Sequence, residues 1–183
     1  MKRVLLTGAS GFVGSHLLRH LLMGTDWEIV CIVSWQYKGT PERIENAWKD
    51  EDKNRVTIIT HDLTSPLTEM TKKRLGKIDY IINIASNSHV HRSIDEPGAF
   101  IIGNTKLVFN MLELARELKP ELFLQFSTDE VYGPAPNGVD YPEWSSIIPS
   151  NPYSASKACQ EAIAISYWRT YGLPLALVCP MNA

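Results

Sequence analysis

Short apolar runs alternate along this chain with longer stretches whose apolar residues recur every three or four positions. Val4-Leu5-Leu6 is the first run, and from Phe12 to Met23 the residues Phe12, Val13, Leu17, Leu18, Leu21 and Leu22 keep helical spacing. Glu28 to Val33 is rich in β-branched residues and predicts a strand, as does Val56 to Ile59. Between them, Pro41 to Lys49 predicts a helix with proline in its first turn. Leu67 to Leu75 predicts a modest helix. Ile78 to Ile84 is almost wholly apolar, the pattern of a strand covered on both faces. A long helical pattern from Ala99 to Leu118 stops at Lys119-Pro120, and Leu122 to Phe126 predicts a fifth strand. Gly133 to Pro152, rich in Pro, Gly, Asn and Ser, predicts an irregular excursion near a ligand. Tyr153 to Tyr171 returns to helix, closed by Gly172, before a sixth strand over Leu173 to Val178.

Strands that alternate with crossover helices specify an α/β fold, a doubly wound parallel sheet with helices on both faces. A chain of 183 residues suits one well-packed domain, so residues 1–183 are expected to form a single unit. The sequence stops just after the sixth strand with no closing helix. Truncation of the gene product, or removal of the rest, is therefore expected.

Composition narrows the function classes. With 44% hydrophobic and 21% charged residues the chain reads as an ordinary globular protein. A net charge of −2 gives no reason to expect nucleic acid or an anionic membrane as partner. Lys72-Lys73-Arg74 is the densest basic patch and suits a solvated helix end, while Trp35, Trp48, Trp144 and Trp168 are too scattered for a base-stacking platform. Cys31, Cys159 and Cys179 have no paired spacing, which argues against disulfides or structural zinc. His16 with His20, and His89 with His91, lack an obvious third ligand, so no metal site is expected. No apolar stretch is long enough to span a bilayer, and the N terminus lacks a signal-peptide pattern, so a reducing cytoplasm is the expected location.

The candidate chemistry begins where the first strand meets the first helix, at Thr7-Gly8-Ala9-Ser10-Gly11-Phe12-Val13-Gly14. Glycines there let backbone approach a pyrophosphate, and the helix start offers free N–H groups to the phosphates. That position makes a Rossmann-like dinucleotide-binding turn, with Gly8, Ser10, Gly11, Phe12, Val13 and Gly14 as candidate contacts. The spacing G-x-x-G-x-x-G resembles that of the short-chain dehydrogenase/reductase superfamily, particularly its extended branch. An acid at the end of the second strand would hold the adenosine ribose hydroxyls, but the run is Val33-Ser34-Trp35-Gln36. Ser34 is small, and Lys38 and Arg43 follow, so NAD and NADP both remain open as cofactor.

A second constellation lies downstream. Tyr153 and Lys157 are four residues apart on one helix face. A tyrosine phenol, with an ordinary pKa of about 10, needs a nearby cation to act as a base at neutral pH. Lys157 one turn on, with a nicotinamide ring, would supply that. Ser127-Thr128-Asp129-Glu130-Val131-Tyr132-Gly133 ends the fifth strand, where ligands of parallel sheets bind. Dehydration needs a hydroxyl binder, an acid and a base, and adjacent carboxylates can divide the last two duties.

These runs, with Ser88-His89-Val90-His91-Arg92-Ser93-Ile94 and Asn151-Pro152-Tyr153-Ser154-Ala155-Ser156-Lys157-Ala158, resemble the dTDP-glucose 4,6-dehydratase family over essentially the whole chain. The resemblance implies that Tyr153 takes the proton of the sugar C4 hydroxyl as hydride leaves for the nicotinamide. It also implies that Thr128 binds that oxygen, Glu130 removes the C5 proton, Asp129 protonates the departing C6 hydroxyl, and hydride returns to C6. Further implied cofactor contacts are Ser34, Asp62, Leu63 and Ala85, with Asp62 open between adenine contact and helix cap. Implied substrate contacts are Ser88, Thr128 and Asn182. His91 departs from the family, which has Asp there, as does the missing ribose acid, and the C-terminal substrate domain that the resemblance implies is expected to be missing from this chain.

The expected function is thus an NAD(P)-dependent nucleotide-sugar 4,6-dehydratase, a lyase acting on a nucleotide-diphosphate sugar. Alternatives are an epimerase, reductase or decarboxylase of the same superfamily, or a truncated non-catalytic NAD(P)-binding module. The resemblance implies a homodimer through helices near Phe109 and Ala162. Leu107, Met111 and Leu114 suit that seam or packing on the sheet equally.

Overall fold

A computed structural model describes residues 1–36, 38–48 and 53–181. Lys49, assigned above to the second helix, and the candidate Asn182 lie outside them. Six parallel strands, β1 (Arg3–Thr7), β2 (Glu28–Val33), β3 (Val56–Thr60), β4 (Tyr80–Asn83), β5 (Leu122–Phe126) and β6 (Leu175–Val178), form one sheet in the order β3-β2-β1-β4-β5-β6. That is the doubly wound order, and its direction reverses between β1 and β4. Their paired ends, Thr7 beside Ile32 and Asn83, therefore open a crevice at the carboxyl edge of the sheet.

Alternation along each strand sends side chains to two cores. On one face Val4, Leu6, Ile29 and Cys31 pack with Leu18, Leu21 and Leu22 of α1 (Phe12–Gly24) and with Ile44 and Ala47 of α2 (Pro41–Trp48). On the other, Leu5, Val30, Ile81 and Phe123 meet Leu75 of α3 (Glu69–Leu75), then α5 (Pro97–Leu118) and α6 (Pro152–Tyr171). Leu107, Met111 and Leu114 belong to this second core, at 9%, 0% and 2% exposure. Of the two placements open to them, they take the packing on the sheet and not a dimer seam. The apolar residues that α5 leaves outside are Ile101, Ile102 and Phe109.

The helix ends follow local chemistry. Thr68 caps α3 by accepting from the Thr71 N–H, which is why that helix begins after Leu67. Lys119 turns left-handed to close α5, and Gly172 does the same for α6. Three short elements among the described residues have no sequence counterpart above: α4 (Val90–Asp95) and 3-10 turns over Lys53–Arg55 and Asp129–Tyr132. Each is a single turn or little more, too short for periodicity to reveal. Strand β4 is shorter than its apolar run: Ile78, though buried, precedes the ladder, and Ile84 follows it.

Candidate active site

The glycine turn is dictated by steric room. Gly8 has φ +73°, and a Cβ there would lie 2.9 Å from the Ala85 backbone nitrogen. A Cβ on Gly14 would come within 2.1 Å of the Gly8 carbonyl oxygen, so α1 can pack this close to β1 only with glycine there. The first helical bond runs from the Ser15 N–H to the Gly11 carbonyl, leaving the N–H groups of Phe12, Val13 and Gly14 ahead of the ladder. They face a cleft of about 1160 Å³ at the switch point, whose wall includes Gly8, Ser10, Gly11, Phe12, Val13 and Gly14. Bare backbone, free N–H groups and a cleft of this size suit a dinucleotide.

Beyond β2, the same wall is formed by Ser34, Gln36, Lys38, Gly39 and Arg43, with no carboxylate among them. The Arg43 guanidinium donates to the Lys38 carbonyl at 2.6 Å, and the Thr40 N–H donates to the Ser10 carbonyl at 3.1 Å. The loop is thereby tied down onto the glycine turn. Asp62 sits on the cleft wall, where its carboxylate accepts from both the N–H and the hydroxyl of Thr64, each at 2.9 Å. It shapes a local turn and does not cap α3, a role Thr68 fills. Leu63, Ala85 and Ser88 line the cleft as well.

Tyr153, Lys157, Thr128 and Glu130 converge on the opposite wall. Asn151 holds two of these together. Its side-chain oxygen caps α6 by accepting from the Ser154 N–H at 2.9 Å, and its amide nitrogen donates to Glu130 Oε2 at 3.2 Å. The Tyr153 N–H is anchored on Ser93 Oγ of α4. Burial foremost, and next the Glu130 carboxylate, push the Tyr153 phenol up to about 12, while a hydrogen bond with the Thr128 side chain pulls the other way. Asp129 is placed differently: it lines a neighbouring cleft of about 620 Å³ with Glu130, Tyr132 and Cys179, and touches Thr128 Oγ1 at 3.2 Å.

Lys157 is 2% exposed and burial lowers its ammonium to about 8. It donates to the Phe126 carbonyl and, at 2.7 Å, to Gln160 Oε1. The ammonium expected to tune Tyr153 is thus held by strand β5 and by its own helix, and is not among the groups that move the phenol. Sequence reasoning missed the polar side chains behind it: Gln160, Gln125, Asn83 and Asn104, all at 0% exposure. The available signal was the interruption of apolar runs by Gln125 and Asn83. Ser127 adds a buried hydroxyl without an oxygen or nitrogen partner on the cleft wall.

The sheet order, the glycine turn and the tyrosine–lysine wall together define a dinucleotide-binding fold of the extended short-chain dehydrogenase/reductase kind. A family model described as GDP-mannose 4,6 dehydratase matches residues 5–183, and the chain belongs to that family, within the NAD-dependent epimerase/dehydratase group. It is 34% identical over 192 residues to the dTDP-glucose 4,6-dehydratase of Salmonella typhimurium, covering 94% of this chain and 52% of the relative. The dTDP-glucose 4,6-dehydratase DesIV of Streptomyces venezuelae, solved with NAD and TYD, superposes with a TM-score of 0.83 at 32% identity, covering 96% of this chain and 54% of that one. The UDP-glucose 4-epimerase of Thermus thermophilus, solved with NAD, gives 0.86 at 27% identity, covering 97% and 54%. The chain spans about half the length of the curated relatives it matches. Among the described residues no helix is long and apolar enough to cross a membrane.

Proposed function

We propose that this chain is the dinucleotide-binding part of a nucleotide-sugar 4,6-dehydratase. The observation that carries the reading is the convergence of the glycine turn, Tyr153, Lys157, Thr128 and Glu130 on one cleft. A nicotinamide dinucleotide, NAD or NADP, bound there supplies a reversible hydride acceptor. Gly8, Ser10, Gly11, Phe12, Val13 and Gly14 hold its phosphates, and Ser34, Asp62, Leu63 and Ala85 flank the rest.

Tyr153 takes the C4 hydroxyl proton, with Thr128 bonded to the same oxygen. A phenol pushed up to about 12 is a poor base alone, so the reading requires positive charge to arrive beside it. Once C4 is a ketone the C5 proton is acidified, and Glu130, steadied by Asn151, removes it. Asp129, one residue away, protonates the departing C6 hydroxyl. Ser88 and Asn182 complete the sugar contacts.

A second reading, a nucleotide-sugar 4-epimerase, is favoured by the placement of Asp129 off the main cleft wall, because epimerisation at C4 needs no acid for C6. Incubating the full-length gene product with dTDP-glucose and with GDP-mannose, then following product mass, separates the two. Loss of one water supports the dehydratase; unchanged mass with inverted C4 supports the epimerase. The same proposal includes a homodimer through the exposed Ile102 and Phe109 of α5 beside Ala162 of α6, and a monomeric mass by light scattering would reject it.

A further inference from the structure

A ring of hydrogen bonds lies behind the cleft. Gln160 Oε1 accepts from Lys157 Nζ at 2.7 Å and from Gln125 Nε2 at 3.2 Å. The Phe126 carbonyl accepts from the same two donors. The amide orientations are fixed by their outer partners. Gln160 Nε2 donates to the Asn104 carbonyl at 2.9 Å, and a carbonyl can only accept, so the oxygen end of Gln160 must face the ammonium. Gln125 Oε1 accepts from Asn83 Nδ2 at 2.8 Å, and Asn83 Oδ1 accepts from Thr7 Oγ1 at 2.7 Å. Thr7 in turn accepts from the N–H groups of Ile84 and Ala85, each at 3.1 Å. One oriented chain therefore runs through the sheet from the residue before the glycine turn to Lys157.

We propose that Gln160, aligned by Gln125 and Asn104, is a positioning residue for Lys157: its amide oxygen fixes the buried ammonium at the cleft wall and keeps it charged. The inference rests on the functional reading above, in which Lys157 serves the cofactor site. Two of the three ammonium protons go to Gln160 and Phe126, which leaves one for the cleft. A buried cation stripped of half its acceptors gives up its proton more readily. The titratable groups beside it are Glu161 on its own helix and Cys179 after β6, with Tyr153 one turn back; Asp129 and Glu130 act on Tyr153. Glu161 and Cys179 both favour the charged lysine, so the effect of Gln160 must be read against a constant background from them.

The test uses this 183-residue chain, carbon-13-labelled at lysine Cε, with the Lys157 signal identified by its loss in Lys157→Met. Titration by NMR is expected to show the Lys157 midpoint falling by a pH unit or more in Gln160→Met and rising in Gln160→Glu, where a carboxylate replaces the amide oxygen. A midpoint unmoved in either folded variant overturns the proposal. In the unsubstituted chain, the Gln160 side-chain amide signal is expected to shift with the same midpoint as Lys157. An amide that stays silent through that midpoint overturns the proposal even if neither variant folds. None of these readouts requires turnover, so a failed sugar assay would leave the positioning claim standing, and a silent amide would leave the dehydratase reading standing.

Discussion

Asn151 bonds the Glu130 carboxylate at 3.2 Å while its own side-chain oxygen caps α6 at the Ser154 N–H. One side chain thus fixes both the start of the helix that carries Tyr153 and the candidate base opposite it. Asn151→Ala should cost about 1 kcal/mol in urea unfolding, the worth of a lost N-cap. Asn151→Asp should keep most of that stability, because aspartate caps equally well, yet it replaces the amide donor to Glu130 with a second carboxylate and should displace the Glu130 side chain. In the full-length gene product this should lower turnover of the sugar substrate at an unchanged melting temperature. Unchanged turnover would separate Glu130 from catalysis.

Gly14 offers a sharper steric test. A Cβ at 2.1 Å from the Gly8 carbonyl meets rigid backbone, so Gly14→Ala should destabilise by about 3 kcal/mol, at the upper end of overpacking costs. Gly24, at the end of α1, has nothing within 4 Å of an added Cβ. Gly24→Ala should be neutral or stabilising by up to about 1 kcal/mol. Thermal melts of the two variants, side by side, check the contrast.

Lys157 should leave a signature in stability against pH. Its folded pKa of about 8 lies below the ordinary 10.5, so the unfolded chain holds the proton over that interval and stability rises as pH climbs through it. Cys31, pushed by burial from 9.0 up to about 12, works in the opposite direction above pH 9. The comparison must therefore be made against Lys157→Met, which keeps Cys31. Between pH 7 and pH 10 the unsubstituted chain should gain about 2–3 kcal/mol relative to that variant in urea unfolding. Parallel pH curves would mean that the ammonium is not desolvated as the structure has it.

Arg43 and Lys38 bear on cofactor choice. They line the cleft with Ser34 beyond the end of β2, where the proposed reading puts the adenosine ribose. If the cleft takes a 2′-phosphate, Arg43→Ala should weaken NADP binding about tenfold, the worth of one hydrogen bond to a charged group, and leave NAD unchanged. Fluorescence titration with NADPH and NADH checks it. Equal losses for both would remove Arg43 from the ribose site.

The parts of this protein that could be read from sequence are those where one physical cause dominates. Apolar runs such as Ile78 to Ile84 announced buried strands, and Gly8 and Gly14 announced a close backbone approach, since few other demands produce glycine there. Tyr153 and Lys157 were placed on one wall by helical spacing alone. Their electrostatic relation was not, because it depends on which acceptors the fold brings to the ammonium, and Phe126 is 31 residues away. Gln125 and Asn83 looked like interruptions of strands, though they form the polar chain behind the site. Leu107, Met111 and Leu114 share a stripe that could meet either a sheet or another helix, and periodicity cannot name the partner. Asp129 and Glu130 are neighbours in sequence, but in the 3-10 turn only Glu130 reaches the main cleft, while both line the smaller one.

The central claim is that the glycine bend and the Tyr153–Lys157 wall form one binding site for a nicotinamide dinucleotide. Titrating the chain with NADH and with NADPH, and following nicotinamide fluorescence, tests it directly when Gly14→Val and Lys157→Met are run beside the unsubstituted protein. Saturable binding of at least one dinucleotide, abolished by the valine and weakened by the methionine, is the predicted result. Failure of both to bind, or binding that ignores both substitutions, would contradict it.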